Sequence, residues 1–247
     1  MSNLIGKIAL VTGASRGIGS AIAKELAVNG ASVIINYSKD DEGANKLLKE
    51  IEDIGGYAKI IKKNIAYREN CKELINEIIN TFGKIDILVN NAARSEIGLF
   101  MDMNDEELDS LININLLAPM YLSKEALQYM ISKGNGNIIN ISSIWGEAGA
   151  SCEVAYSTTK GGINTFTKAL AKEVAPFGIR VNAISPGVID TKMNNFLSEE
   201  EKNQLIDEIP MGRFGDINEI AKAVLFLCKD ECKYLTGQII RIDGGFL

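Results

Sequence analysis

Tyr156 and Lys160 stand four residues apart, with Ser143 thirteen residues ahead of the tyrosine. If residues 155–175 form a helix, the phenol and the ammonium lie one above the other on a single face. A free tyrosine, with a pKa of roughly 10, is a poor proton donor or acceptor at neutral pH. A lysine ammonium within ~4–6 Å favours the phenolate and lowers that pKa. The pair is therefore suited to passing a proton to or from a substrate oxygen, which is general acid–base chemistry. Ser143, just beyond the apolar run 137–141, would supply a hydroxyl to hold the same oxygen. Taken alone, Tyr-x-x-x-Lys is ordinary on a helix surface. Its meaning depends on what precedes it.

What precedes it is a nucleotide-binding pattern. Residues 7–11 are a short apolar run of the kind that builds a buried strand. They lead into Thr12-Gly13-Ala14-Ser15-Arg16-Gly17-Ile18-Gly19, and then into helical periodicity over 20–29. Glycines here serve a tight turn, a close approach of backbone to pyrophosphate, and the packing of helix on strand. The helix N-terminus then offers unsatisfied N–H groups and a positive dipole end to phosphate. The spacing Gly-x-x-x-Gly-x-Gly is one residue longer in its first interval than the common dinucleotide pattern.

Further motifs follow in order. Asn90-Asn91-Ala92 comes after the apolar run 85–89, and Asn115 sits in Ile114-Asn115-Leu116. Pro186-Gly187 follows the run 180–184, and Gly237-Gln238 and Asp243-Gly244-Gly245 lie near the end. With these, the chain resembles a one-domain short-chain dehydrogenase/reductase over essentially all of its 247 residues. The resemblance implies a catalytic tetrad of Asn115, Ser143, Tyr156 and Lys160. It also implies a nicotinamide cofactor lined by Gly13, Ser15, Arg16, Gly17, Ile18 and Gly19 of the turn, and by Asn36, Tyr37 and Ser38 after the second strand. Asn64 and Ile65 would meet the adenine, with Asn91, Ala92 and Ala93 beside the cofactor. Pro186, Gly187, Val188, Ile189 and Thr191 would flank the nicotinamide end, where Tyr156 and Lys160 also reach it.

Composition agrees with one globular domain spanning residues 1–247. The chain is 46% hydrophobic and 23% charged, with a length suited to one large doubly wound core. No apolar leader opens it and no run of 18 apolar residues occurs, so a cytoplasmic protein with no membrane partner is expected. A net charge of −6 without a basic tract argues against nucleic acid. Cys71, Cys152, Cys228 and Cys232 are scattered, which suits a reducing compartment without structural disulfides. With no histidine, no metal site is expected.

Strands are expected near 7–12, 31–37, 57–62, 85–89, 136–142, 179–185 and 238–242. Helical patterns fill 18–29, 41–54, 68–82, 104–132, 155–175 and 217–228. Alternating β and α with buried strands predicts an α/β Rossmann fold, a parallel sheet covered on both faces. Right-handed crossovers and the family likeness imply the order 3-2-1-4-5-6-7, with ligand at the carboxyl ends of the strands. Residues 187–215 break the rhythm, being long and polar, and read as a lid over the substrate.

Users of NAD place an acid at the end of the second strand, on the ribose 2′-OH. Tyr37 stands at that position, so no carboxylate there would repel a 2′-phosphate. Arg16 matches the arginine that binds this phosphate in NADP-preferring relatives, with Ser38 and Lys39 close by in sequence. NADP(H) is the expected cofactor. Asn64-Ile65 departs from the family's Asp-Val, and Ala93 replaces a glycine, which is tolerable if its φ stays negative.

The resemblance extends to 3-oxoacyl-acyl-carrier-protein reductases of fatty acid synthesis, whose ketone is carried on acyl carrier protein. The positions where those enzymes carry carrier-binding cations read Gly134 and Phe177, although Lys133 is adjacent. The stretch from Ser143 to Glu153 looks more like reductases of a 5-aminopentanone group on a lysine of elongation factor P, and Glu147 and Glu153 would suit a cationic amine. The first substrate ranks ahead by a narrow margin, and a non-catalytic nucleotide-binding scaffold is the alternative of another class. Apolar residues on more than one side of the helices near 104–132 and 155–175, Leu116, Met120, Phe166 and Leu170 among them, predict a homotetramer.

Overall fold

The computed structural model describes residues 4–191 and 198–247. Seven strands, β1 (Ile8–Val11), β2 (Ser32–Tyr37), β3 (Tyr57–Lys62), β4 (Ile87–Asn90), β5 (Gly136–Ile141), β6 (Ile179–Pro186) and β7 (Ile239–Ile242), form one sheet in the order β3-β2-β1-β4-β5-β6-β7. Every pairing is parallel. Both faces are covered, which explains why the strands read as continuous apolar runs. Ala9, Val11, Val33, Ile35, Val89 and Ile139 enter one core layer. Their neighbours Ile8, Leu10, Ile34, Leu88 and Ile138 enter the other. Alternation thus sends apolar side chains both ways instead of one way.

Helices α1 (Gly17–Val28), α2 (Asp41–Asp53) and α9 (Ile217–Cys228) complete the first layer. The second is completed by α3 (Arg68–Phe82), α5 (Ala118–Lys133) and α7 (Val154–Val174). Two short helices, α4 (Asp105–Ile112) and α6 (Trp145–Ala148), lie at the functional end, and α8 (Glu199–Glu208) lies in the 187–215 segment. No helix among the described residues is long and apolar enough to cross a membrane.

Three differences from the expected elements bear on function. The helix expected over 104–132 is α4 and α5 joined by a π-helical turn, Asn113–Leu117, that carries Asn115. Pro119 is the cause visible in sequence. It has no N–H to donate to the carbonyl of residue 115, so the regular ladder breaks there. Second, α6 occupies what reads as loop just after Ser143. Third, the segment expected as a lid contains α8, which has no buried residue and so no apolar stripe to betray it. Its signature is the capping box Ser198–Glu201. Residues 192–197 of the expected lid lie outside the described residues.

Candidate active site

The glycine-rich turn hangs between β1 and its two neighbours. Thr12, buried after β1, accepts from the backbone N–H groups of Asn91 and Ala92 through its hydroxyl, both at 3.0 Å. Asn91 returns its amide to the carbonyls of Thr12 and Gly13, at 2.9 and 3.2 Å. On the other side the Ala14 N–H donates to the Asn36 carbonyl at 2.9 Å. Gly13 has φ +61°, and a Cβ on it would stand 2.8 Å from the Ala92 Cα. A Cβ on Gly19 would meet the Gly13 carbonyl at 2.4 Å and the Asn91 amide at 2.5 Å. Both glycines are therefore required by close approach. Thr12 was not singled out in the sequence, though a threonine between strand and first glycine is a legible signal.

This cradle fits a dinucleotide. Helix α1 begins with no acidic residue in its first turn and no side-chain cap from Arg16, leaving its N–H groups to serve an anion. Arg16 is exposed and makes no ion pair among the described residues. A Cβ on Gly17 would reach within 3.9 Å of the Thr191 methyl, so Thr191 faces the helix N-terminus from the opposite bank. Gly187, tucked against Asp243, starts that bank, and Ile189 bridges to Gly215.

The remaining expected cofactor residues are placed unevenly. Asn36 is buried, its amide donating to the carbonyls of Ile61 and Lys63 at 3.2 and 3.1 Å, so only its backbone meets the turn. Asn64 folds its side-chain oxygen onto the Ala66 N–H at 3.1 Å, and Ile65 is buried. Ser38 is exposed. Ala93 does not take a positive φ, since Cys152 is the only non-glycine to do so among the described residues. The Pro186 carbonyl accepts from the Ile144 N–H at 3.0 Å, and the Gly215 N–H donates to Val188 at 2.9 Å. Position 37 itself carries no carboxylate, but Tyr37 has one beside it. Its hydroxyl donates to Asp41 at 2.6 Å, and Asp41 is paired with Lys62 at 2.7 Å. The acid comes from the start of α2, where the sequence order hides its proximity.

The residues expected to handle the proton converge beyond β5. Ser143, at the start of the turn into α6, accepts from the Trp145 N–H at 3.2 Å, and its side chain lies close enough to the Tyr156 phenol to lower that group's pKa. Lys160 is buried and donates to the Ile141 carbonyl at 2.8 Å, with its ammonium 5.6 Å from the centre of the Tyr156 ring. Asn115 clamps the backbone of Arg94. Its amide donates to the Arg94 carbonyl at 2.8 Å while its oxygen accepts from the Arg94 N–H at 3.0 Å.

Electrostatics here depart from the simple expectation. Burial pushes the Tyr156 phenol up to about 12, Ser143 opposes the shift, and Glu153 adds to it. Burial also brings Lys160 down to about 8. The net shift of the tyrosine is therefore upward despite the neighbouring lysine. Desolvation outweighs an ammonium whose proton is directed at Ile141 and not at the phenol. Of the two loop acids, Glu153 accepts the Ser95 hydroxyl, and Glu147 accepts from Ser185 at 2.7 Å. Trp145 packs edge-on against Phe246, ring centres 5.8 Å apart, so the C-terminus forms a wall here that sequence reasoning missed.

Comparison with known proteins places this arrangement. The family described as Enoyl-(Acyl carrier protein) reductase is matched over residues 13–247. An uncharacterized oxidoreductase, YmfI, of Bacillus subtilis is 39% identical over 243 residues, 98% of this chain and 99% of that protein. A 3-oxoacyl-[acyl-carrier-protein] reductase, FabG, of Staphylococcus epidermidis is 41% identical over 241 residues, covering 98% and 99% of the two chains. A blue fluorescent protein from a metagenomic library, solved in complex with NADPH, superposes with a TM-score of 0.93 at 34% identity, covering 99% of each chain. The sheet order, the glycine cradle, the Ser–Tyr–Lys cluster and these relatives together show that the chain belongs to the short-chain dehydrogenase/reductase family of NAD(P)-dependent oxidoreductases.

Proposed function

We propose that the protein is an NADPH-dependent ketone reductase whose principal substrate is a 3-oxoacyl group on acyl carrier protein. The observation that carries the reaction class is the meeting of Ser143, Tyr156 and Lys160 at the same sheet edge as an acid-free helix N-terminus. Bound in that cradle, the nicotinamide supplies the hydride. Everything else falls to the chain. Tyr156, protonated up to high pH, gives its proton to the developing alkoxide, and Ser143 holds the same oxygen. Lys160 fixes the nicotinamide ribose while anchored on the Ile141 carbonyl. Asn115 keeps a water in line to reload the proton, and Pro119 has no N–H to compete for its carbonyl. Arg16 would bind the 2′-phosphate, a charge-assisted contact absent for NADH. Substrate choice rests on the 3-oxoacyl reductases that share 41% identity over nearly the whole length.

One observation favours a second reading, a 5-aminopentanone group on a lysine of elongation factor P. Glu153 lies close enough to Tyr156 to raise its pKa, so a carboxylate stands at the reacting centre. The two places for carrier-binding cations hold Gly134, a left-handed cap of α5, and the half-exposed Phe177. The deciding experiment compares an acetoacetyl-carrier thioester with an aminopentanone-modified lysine, both scored by NADPH consumption, in wild type and Glu153→Gln. Glu153 also bears on the Tyr156 acid, so the substitution should change kcat for both substrates alike, whereas a carboxylate that binds the amine should raise KM for the amine alone. Faster turnover of the thioester, with no KM change for the amine, supports the first reading. Faster turnover of the amine with that KM rise overturns it. The protein is further proposed to be cytoplasmic and a homotetramer built on the α4–α5 and α7 faces. A monomer by light scattering at micromolar concentration would reject that assembly.

A further inference from the structure

The ribose end of the cofactor site contains a second charged pair that the cofactor motifs do not include. Tyr37 and Lys62 are register partners on adjacent parallel strands, so their side chains emerge side by side at the carboxyl edge of the sheet. The Lys62 ammonium lies 5.8 Å from the centre of the Tyr37 ring. Asp41, four residues beyond Tyr37 and in the first turn of α2, closes the cluster. It accepts the Tyr37 hydroxyl at 2.6 Å and both of its oxygens take Lys62, at 2.8 and 2.7 Å. The start of α2 is pressed against the glycine-rich turn, because a Cβ on Gly43 would stand 2.5 Å from the Ser15 carbonyl. The cluster's helix therefore packs on the glycine-rich turn at Ser15, the residue before Arg16. The cluster sits where a dinucleotide of this fold presents the 2′ position of its adenosine ribose.

We propose that Asp41 and Lys62 set cofactor preference as a compensated pair, in which Lys62 cancels a carboxylate that would otherwise repel a 2′-phosphate. This rests on NADPH being the cofactor of the site described above. Position 37 has given up its acid, yet Asp41 returns one within a hydrogen bond of the Tyr37 hydroxyl. Left alone, that carboxylate would favour a 2′-hydroxyl over a phosphate. Held on both oxygens by Lys62, it contributes no net charge and keeps the Tyr37 ring fixed. The pair is half-exposed, with side chains 51% and 57% accessible, so its field is screened and the effect is a modest factor. Two unit charges at the range of one cofactor group interact in water by an amount worth several-fold in affinity.

The test is a titration of NADPH and NADH into the purified protein, followed by quenching of the single tryptophan, Trp145. Four proteins are compared: wild type, Lys62→Met, Asp41→Asn, and the double variant. Lys62→Met should raise the Kd for NADPH about three- to tenfold and leave the Kd for NADH within twofold. Asp41→Asn should lower the Kd for NADPH, since it frees an ammonium beside the phosphate. The double variant should return to within about twofold of wild type for NADPH, because both charges are gone. If Lys62→Met weakens NADPH and the double variant does not recover, Lys62 binds the phosphate directly and the compensation is overturned. No change in the NADPH to NADH ratio in any variant overturns it as well. Wild type binding NADH as tightly as NADPH would instead refute the NADPH reading on which the proposal stands. Far-ultraviolet circular dichroism of the four proteins guards against a loss of fold being scored as a loss of affinity.

Discussion

Lys160→Met should make the protein more stable at neutral pH while removing its activity. The Lys160 side chain is 3% exposed and has no carboxylate partner among its bonds, only the Ile141 carbonyl. Burial brings its pKa from 10.5 to about 8. A shift of that size corresponds to about 3 kcal/mol of stability withheld while the ammonium is charged. A methionine of similar length removes the charge but leaves the Ile141 carbonyl without its donor, which costs about 1–3 kcal/mol. At pH 7 the variant should therefore equal wild type or exceed it by up to about 2 kcal/mol.

The sign of the pH dependence separates this account from simple packing. Between the folded value near 8 and the unfolded value of 10.5 the unfolded chain binds more protons at Lys160, so wild-type stability rises with pH across that window. Lys160→Met has no such rise. Moving from pH 7 to pH 9.5 should shift the difference between the two proteins by about 2 kcal/mol in favour of wild type. Tyr156 does not enter that interval. Its pKa is raised from 10.0 to about 12, so its contribution is intact below 10 and is lost as pH rises through 12. The assay is urea unfolding without cofactor at the two pH values and one fixed protein concentration. A difference between wild type and variant that stays constant within about 0.5 kcal/mol would refute the claim that Lys160 is held desolvated.

Tyr156→Phe should lower kcat by a factor of 10²–10⁴ and leave NADPH affinity nearly unchanged, because the phenol acts on substrate oxygen; retention of more than about a tenth of kcat would reject Tyr156 as the acid. Arg16→Ala should weaken NADPH far more than NADH in a direct titration, and equal losses would remove Arg16 from the 2′-phosphate. Gly19→Ala should destabilise the protein by about 1–3 kcal/mol in urea and weaken both cofactors together, since its Cβ meets the Gly13 carbonyl and the Asn91 amide at 2.4 and 2.5 Å; unfolding at the wild-type urea midpoint would refute that crowding.

The sequence made legible what periodicity and turn chemistry encode locally. Helix α3 runs over the residues expected of it because it carries an apolar face between clear breaks, and β3 likewise keeps its expected bounds. The sheet order followed from crossover handedness and family likeness together, and the register Tyr37↔Lys62 fell out of it without being read. Where the sequence misled, the signal was present but weaker than a competing one. Pro119 announces a break, yet the apolar residues around it continue the helical rhythm on both sides. Helix α8 has a clear capping box and nothing to bury, so polarity argued for loop.

The site was legible as a set of residue types and illegible as a field. Spacing on α7 placed Tyr156 beside Lys160 correctly, and from that alone the lysine should lower the phenol. The opposite shift comes from what surrounds both groups. The β5 backbone carbonyl of Ile141 accepts a hydrogen bond from the lysine, Glu153 adds negative charge from the cap of α7, and burial desolvates both groups. None of these is near Tyr156 in a way that helical spacing reports, except Glu153. The same holds beside Tyr37, which Asp41 reaches across the β2–α2 turn and Lys62 reaches across a strand pairing. Chemistry that depends on identity could be read from the chain. Chemistry that depends on burial and on charge brought from another strand required the fold, and those two quantities set the proton affinity of Tyr156 and the charge beside Tyr37.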